Sequence, residues 1–417
     1  MKISEIRPEV WEMAAKAEEI CRTRFQEIDS VAERNTLKVM SAFQDNKVSD
    51  SCFAGTTGYG YDDLGREVLD KIYAQIFGTE SALVRLGFVN GTHALTAAMF
   101  SLARPGETVL AVTGTPYDTL RCAIGISGDH FGSLKFYGID YAQVDLNEQG
   151  EPDLPAIRAA AADPKVSGVM IQRSRGYEDR KALTVQEIGQ ICQAVRAVNP
   201  RANIMVDNCY GEFTDVIEPP QVGADIIAGS LIKNPGGGLA PTGGYIAGKA
   251  ELVERAAMRL TTPGIGGECG STLGNNRLLF QGIFMAPHIV AQALKTAVFC
   301  AAMMEQMGIA SSPGIDEKRS DIIQMVKLGT PERMKQFCLG IQAGAPVDSY
   351  VTPEPWPMPG YDCPVIMAAG AFIQGSSIEL SADGPMREPY TVYMQGGLTY
   401  ESGKLGIMMA VSAMLDA

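Results

Sequence analysis

A change of hydrophobic rhythm at Ser81 constrains this chain more than any other feature. From there, short apolar runs alternate with helical periodicity. Runs at 82–88, 108–112, 169–172, 204–206 and 226–227 read as strands, and helical patterns follow or separate several of them, notably at 92–102 and 185–198. Such alternation predicts an α/β fold whose mainly parallel sheet is covered by helices on both faces. In that architecture ligands bind beyond the carboxyl ends of the strands. The polar motifs of this sequence fall at those ends or in loops able to reach them.

The chain of 417 residues exceeds what one hydrophobic core usually supports, so a large domain with a smaller companion is expected. The boundaries read as a helical arm at 1–50, a large domain at 51–285 and a small α+β domain at 286–417. Within the arm, 5–46 reads as two amphipathic helices separated near Asp29 and Ser30, either of which could cap the second. A Gly- and Tyr-rich loop at 55–61 leads into a helix over 64–77. After Gly274 a helical region runs to about Met307, followed by short strands near Ile322, Ile378 and Val392 and a last helix near 402–414. The Pro-rich stretch 352–359 reads as a surface loop.

Composition narrows the function. A hydrophobic share of 46% and a charged share of 20% are those of a globular protein. The net charge of −13 argues against nucleic-acid and anionic-membrane surfaces, leaving room for a local basic phosphate pocket. The N-terminal residues lack the layout of a signal peptide, and the apolar stretch 289–304 is interrupted by Lys295, short of a membrane span. Nine cysteines without a CxxC pair indicate neither a disulfide framework nor zinc, so a reduced cytoplasmic setting is expected. His93, His130 and His288 form no HExxH, so no metal site is expected, and no GxSxG elbow is present.

Lys233 lies just past an apolar strand, in a loop of small residues. Most lysines are exposed, but Ser230 and the glycines at 236–238, 243 and 244 leave room for a flat ligand. Desolvation there is expected to lower the lysine pKa and free a nucleophilic amine for Schiff-base chemistry. Asp207 ends the strand before it and should emerge at the same sheet edge, where an acid keeps a pyridine nitrogen protonated. Alone it reads rather as a turn or cap residue, and its place beside Lys233 reverses that reading. Asn90, Gly91, Thr92 and His93 form a strand-to-helix turn, whose N–H groups and helix dipole suit a phosphate. Ser230 adds a hydroxyl.

The segments VNGTHAL, GTPYDTL, VDNCYGEF and GSLIKNPGGGLAPTGGY, in that order, resemble fold-type I pyridoxal-phosphate (PLP) enzymes. The nearest likeness is to the cystathionine/methionine γ-lyase-like branch labelled aluminium-resistance proteins, from Phe53 to the C-terminus. The 26-residue separation of Asp207 and Lys233 fits that group. The resemblance implies a PLP-dependent transferase-like large domain with a mainly parallel seven-stranded sheet. It implies that Lys233 carries the cofactor and moves the Cα proton, that Asp207 pairs with the ring nitrogen, and that Gly91, Thr92, His93 and Ser230 hold the phosphate. Tyr117 would stack on the ring and act near the leaving group. Tyr59 and Tyr61 lie where γ-family lyases present a Tyr and an Arg to a neighbouring subunit; YGY replaces YxR here, which leaves Arg66 as a substitute. The glycine-rich stretch 262–270 reads equally as a phosphate-facing loop and as a connector.

An amino-acid substrate needs its α-carboxylate held, best by a bidentate arginine. Arg387, in a turn of the small domain, is the choice the resemblance favours. Ser174 and Arg175, past a strand end, read as partners of the substrate or of the cofactor's phenolic oxygen, although three arginines within 173–180 commonly mark a solvated face. The resemblance implies a carbon–sulfur lyase that releases a thiol, ammonia and an oxo acid, assembled as a homodimer or homotetramer with shared active sites. The same fold also serves aminotransferases and aldolases, and a non-catalytic stress-response protein is the rival from another class.

Overall fold

The computed structural model describes residues 2–128, 131–358 and 363–415. His130 and Pro359 lie outside the described residues.

The first helix, α1 (Pro8–Asp45), is a single helix of 38 residues rather than the expected pair. Asp29 does not cap a second helix; its carboxylate lies 2.5 Å from Lys295. Val10, Ala14, Ala17, Cys21, Ile28 and Val39 keep one apolar stripe turned inward across the expected break. Helix α2 (Leu64–Phe77) matches its expected span, because Asp63 caps it through Arg66 N and Gly78 ends it in the left-handed region.

The large domain continues as β1 (Ser81–Arg85), α3 (Gly91–Leu102), β2 (Thr108–Ala111), α4 (Asp118–Ile124), β3 (Asp140–Gln143), α5 (Leu154–Ala161) and β4 (Val166–Gln172). It is completed by α6 (Val185–Val198), β5 (Asn203–Asp207), β6 (Ile226–Ser230), β7 (Gly244–Gly248) and α7 (Ala250–Leu260). The strands form one seven-stranded sheet in the order β1-β7-β6-β5-β4-β2-β3. β7 runs antiparallel to both its neighbours and the remaining pairs are parallel. β3 and β7 were not anticipated. β3 is a polar edge strand, and β7 is hidden among glycines, which carry little strand signal.

Helix α8 (Asn276–Gln306) passes through position 286 without interruption. Its 31 residues are long and apolar enough to cross a membrane, contrary to the shorter stretch expected, but 78% of its most apolar window is buried inside the fold. It packs along α1 as a core helix. The rest comprises β8 (Ser311–Ser312), β9 (Ile323–Lys327), α9 (Pro331–Ala343), β10 (Val365–Ala369), β11 (Ser381–Pro385), β12 (Thr391–Gln395) and α10 (Tyr400–Leu415). Its antiparallel sheet has the order β10-β11-β12-β9-β8. The strand expected near Ile378 begins at Ser381, and β10 was not foreseen. One face of this sheet packs on α9. The other presents Ile323, Met325 and Tyr393 to Tyr177 and Tyr210 of the large domain.

Candidate active site

β4, β5 and β6 are parallel neighbours, and their carboxyl ends place Gln172 beside Asp207 and Asp207 beside Ala228, with Ser230 two residues on. Alternation decides the faces. Val206 and Ile227 pack in one core, whereas Met205, Ala228 and Cys209 pack in the other, beneath α3. Asp207 is buried, and its Oδ1 accepts a hydrogen bond of 3.1 Å from Cys209 N. Burial pushes its carboxyl above the usual range, opposed by the Lys233 ammonium.

Lys233 follows β6 by three residues, and its Nζ stands 3.9 Å from the centre of the Tyr210 ring. Tyr210 itself takes a left-handed backbone with φ 70°. The turn after the lysine closes so tightly that a Cβ on Gly236 would lie 1.7 Å from the Leu231 carbonyl oxygen. The expected depression of the lysine pKa is not what this pocket produces. Burial works in that direction, but Cys209, Tyr210, Asp207 and Glu212 outweigh it and hold the ammonium above the ordinary lysine range.

The N-terminus of α3 stands beside this pair. Asn90 caps it, accepting from His93 N at 2.9 Å. Gly91 lies so close to β6 that a Cβ there would come within 3.1 Å of Ser230 Cβ. Thr92 Oγ1 lies 2.8 Å from Thr119 Oγ1 on α4. Gly91 and Ser230 are therefore in close approach, with Thr92 next along α3. The His93 ring turns elsewhere: it packs edge-on against Phe88, and its Nδ1 accepts from Val89 N at 3.4 Å. Burial, helped by Arg259, lowers the His93 pKa.

A cleft of about 310 Å³ between the domains is lined by Tyr117, Gln172, Arg175, Tyr177 and Arg387, among others. Tyr117 N donates to Gln172 Oε1 at 2.9 Å, so the last residue of β4 fixes the start of α4. Arg387 reaches the cleft from the exposed turn after β11. Arg175 is buried, and its guanidinium donates to the carbonyl and hydroxyl of Ser312, tying the strand end to the small domain. Ser174 is buried too, and its carbonyl accepts from Gln172 Nε2 and Arg180. The three arginines of this segment do not form a solvated face. Arg173, Arg175 and Arg180 are all buried, Arg173 within 2.7 Å of Asn208 Oδ1 and 3.4 Å of Glu218 Oε2.

Tyr59 and Tyr61 are 75% and 55% exposed and do not line this cleft, so their side chains face outward from the chain. Arg66 is not available as a phosphate contact. It is buried and donates to the carbonyls of Gly60, Gly270 and Glu268, which binds the tyrosine loop to the glycine-rich segment. Gln172, Tyr210 and Glu212 were not singled out from sequence. Glu212 accepts from Tyr245 OH at 2.8 Å, and its backbone carbonyl accepts from the Asn234 side chain, next to Lys233. The only sequence signal for it was its place in VDNCYGEF, an acid in an otherwise buried segment.

A family model described as methionine gamma-lyase matches residues 10–415. The chain belongs to the methionine gamma-lyase family. This family member is similar to a carbon–sulfur lyase involved in aluminum resistance from Clostridium novyi NT. The two are 52% identical with a TM-score of 0.94, over 98% of this chain and 96% of that one. It is 49% identical over 392 residues to the uncharacterized protein YnbB of Bacillus subtilis (strain 168), covering 94% of this chain and 93% of that protein. The pyridoxal-5'-phosphate dependent protein YhfS from Escherichia coli shares the fold, with a TM-score of 0.63 at 17% identity over 94% of this chain and 97% of that one. The expected α/β fold and the family resemblance are thereby established for this methionine gamma-lyase family member.

Proposed function

We propose that the protein is a PLP-dependent carbon–sulfur lyase that eliminates a thiol from a sulfur amino acid of the cystathionine or methionine type, leaving an oxo acid and ammonia. The observation that carries this reading is a buried carboxyl, Asp207, within electrostatic reach of the Lys233 amine past neighbouring strand ends, together with the contact of Gly91 with Ser230.

These residues fit the cofactor. Lys233 would hold it through Nζ, Asp207 would pair with the ring nitrogen, and the first N–H groups of α3 with the Thr92 and Ser230 hydroxyls would take the phosphate. Pyridoxal phosphate supplies, when bound, an electron sink for the bonds at the substrate Cα. Lys233 Nζ takes the Cα proton. With Asp207 engaged by a ring nitrogen, one of the acidic groups that raise the lysine is neutralised, which favours the free amine. Tyr117 would stack on the cofactor ring, its backbone fixed by the hydrogen bond to Gln172. Arg387 binds the α-carboxylate from the small domain, and Arg175 keeps that domain docked.

Exposure of Tyr59 and Tyr61 supports an assembly in which each subunit lends these rings to its neighbour's site, in a homodimer or a pair of dimers. Nine free thiols support a reducing, cytoplasmic setting. The test is direct. The purified protein supplied with PLP should release an oxo acid, ammonia and a thiol from cystathionine, methionine or an S-alkyl cysteine. Lys233→Ala should remove both the visible absorption of the bound cofactor and turnover; a yellow, active variant would overturn the assignment.

A further inference from the structure

Lys233 has to change partners during turnover. Once a substrate amine takes its place on the cofactor, Nζ is free and accepts the Cα proton. The Cα–H bond breaks, an N–H bond forms on Nζ, and the electron pair passes into the cofactor. The amine is then an ammonium, and its charge needs a partner. Among the described residues, Lys233 Nζ makes no ion pair and no hydrogen bond; it lies 3.9 Å from the centre of the Tyr210 ring.

The place of that ring is set from several sides. Tyr210 is the third residue of a turn closed by Gly211 N, which donates to Asn208 O at 3.0 Å. Its φ of 70° is one that glycine or asparagine ordinarily supplies at this position, so the turn is strained for an aromatic residue. A Cβ on Gly211 would run into the side chain of the buried Arg173, so the turn rests directly on that arginine. The ring packs against the hydrophobic clusters on both faces of the large sheet and against Ile323, Met325 and Tyr393 of the small domain. Its hydroxyl donates to Ser377 Oγ at 3.1 Å, and Gly375 of the same small-domain loop lies against Ile232, the neighbour of Lys233. Burial keeps the Tyr210 hydroxyl protonated, so the ring presents a neutral π face. Asp207, Cys209 and Glu212 are the other titratable groups acting on Nζ, and Asp383 of the small domain acts on Tyr210.

We infer that Tyr210 is the positioning residue that seats the Lys233 ammonium once it has taken the Cα proton. The role rests on the PLP-dependent lyase reading above. A carboxylate in contact with Nζ would compete for the proton. A ring face attracts the positive charge but has no site for the proton, which stays on Nζ until it is handed on.

The ring can be weakened without changing its shape. Tyr210→Phe, and phenylalanines carrying successive ring fluorines at the same position, keep the volume while draining the π face; Tyr210→Leu removes it. Trace acetylation of the cofactor-free full chain at about pH 8, read at the Lys233 peptide by mass spectrometry, reports the fraction of free amine. Lys233 should label within about twofold of the wild-type rate in Tyr210→Phe, faster with each added fluorine, and about tenfold faster in Tyr210→Leu. In the holoenzyme, the acid limb of the kcat profile for S-ethyl-L-cysteine should move to lower pH in the same order, by about one pH unit in Tyr210→Leu. Labelling that does not follow the fluorine series, or an acid limb that stays in place, overturns the role, because a packing defect does not track fluorination. A wild-type protein that gains no visible absorption with PLP, or releases no thiol, refutes the reading on which the role rests, and the role with it, whatever the labelling shows.

Discussion

Replacing Glu212 by Gln isolates the energetic cost of the buried carboxyl beside the lysine loop. Glu212 is fully buried; Oε1 accepts from Tyr245 OH at 2.8 Å, and Oε2 has no partner among the described residues. Burial, reinforced by Glu218 and opposed by Tyr245 and Lys233, pushes the group up to about 8 from an ordinary 4.5. Below about 4.5 the carboxyl is protonated whether the chain is folded or not. Between there and about 8 the folded protein keeps a proton that the unfolded chain has released, so stability falls as pH rises through this window and levels off above it. At about 1.4 kcal/mol per tenfold change in proton affinity, the cost accumulated by pH 8 is roughly 2–5 kcal/mol. Gln mimics the protonated acid and has no proton to lose. Urea unfolding of wild type and Glu212→Gln should therefore give similar stabilities near pH 5 and a widening advantage for the variant toward pH 8. A difference that stays constant with pH would refute the reasoning, because a packing change alone does not follow a titration curve.

Gly91→Ala should weaken PLP binding about tenfold, or about 1.4 kcal/mol, because the new methyl forces the α3 N-terminus away from Ser230. Titration of the apo protein checks this, and the thermal midpoint should hold steady, since Ala suits a helix at least as well as Gly. Arg173→Met should cost about 3–5 kcal/mol in denaturant unfolding, because it strands Glu218 in a fully buried site. Arg387→Ala should raise KM for amino-acid substrates more than it lowers kcat, by about tenfold or more, in steady-state kinetics. An unchanged KM would remove Arg387 from the carboxylate site.

The local sequence determined the strand-to-helix turns. Asn90-Gly91-Thr92, Asp207 and Lys233 were legible because each follows an apolar run whose end is set by short-range patterning. Helix α6 was legible for a similar reason, since Thr184 and Glu187 form its capping box. Where contacts are distant in sequence, the reading failed. Asp29 is ion-paired to Lys295, 266 positions away, instead of capping a second helix, and nothing near Asp29 announces that contact. β7 became a strand because β1 and β6 flank it, although its glycines argue otherwise.

The sequence by itself thus determined the fold class, the order of the motifs and the chemical type of each candidate group. Tertiary structure decided which groups meet and in what state of charge. It buried Arg173, Arg175 and Arg180, turned the His93 ring toward Phe88, and set four acidic groups around Lys233 so that the amine is raised where burial alone would lower it. The physical reason is range. Helical and strand periodicity act over a few residues, whereas desolvation and charge act through space between groups that only the folded chain brings together.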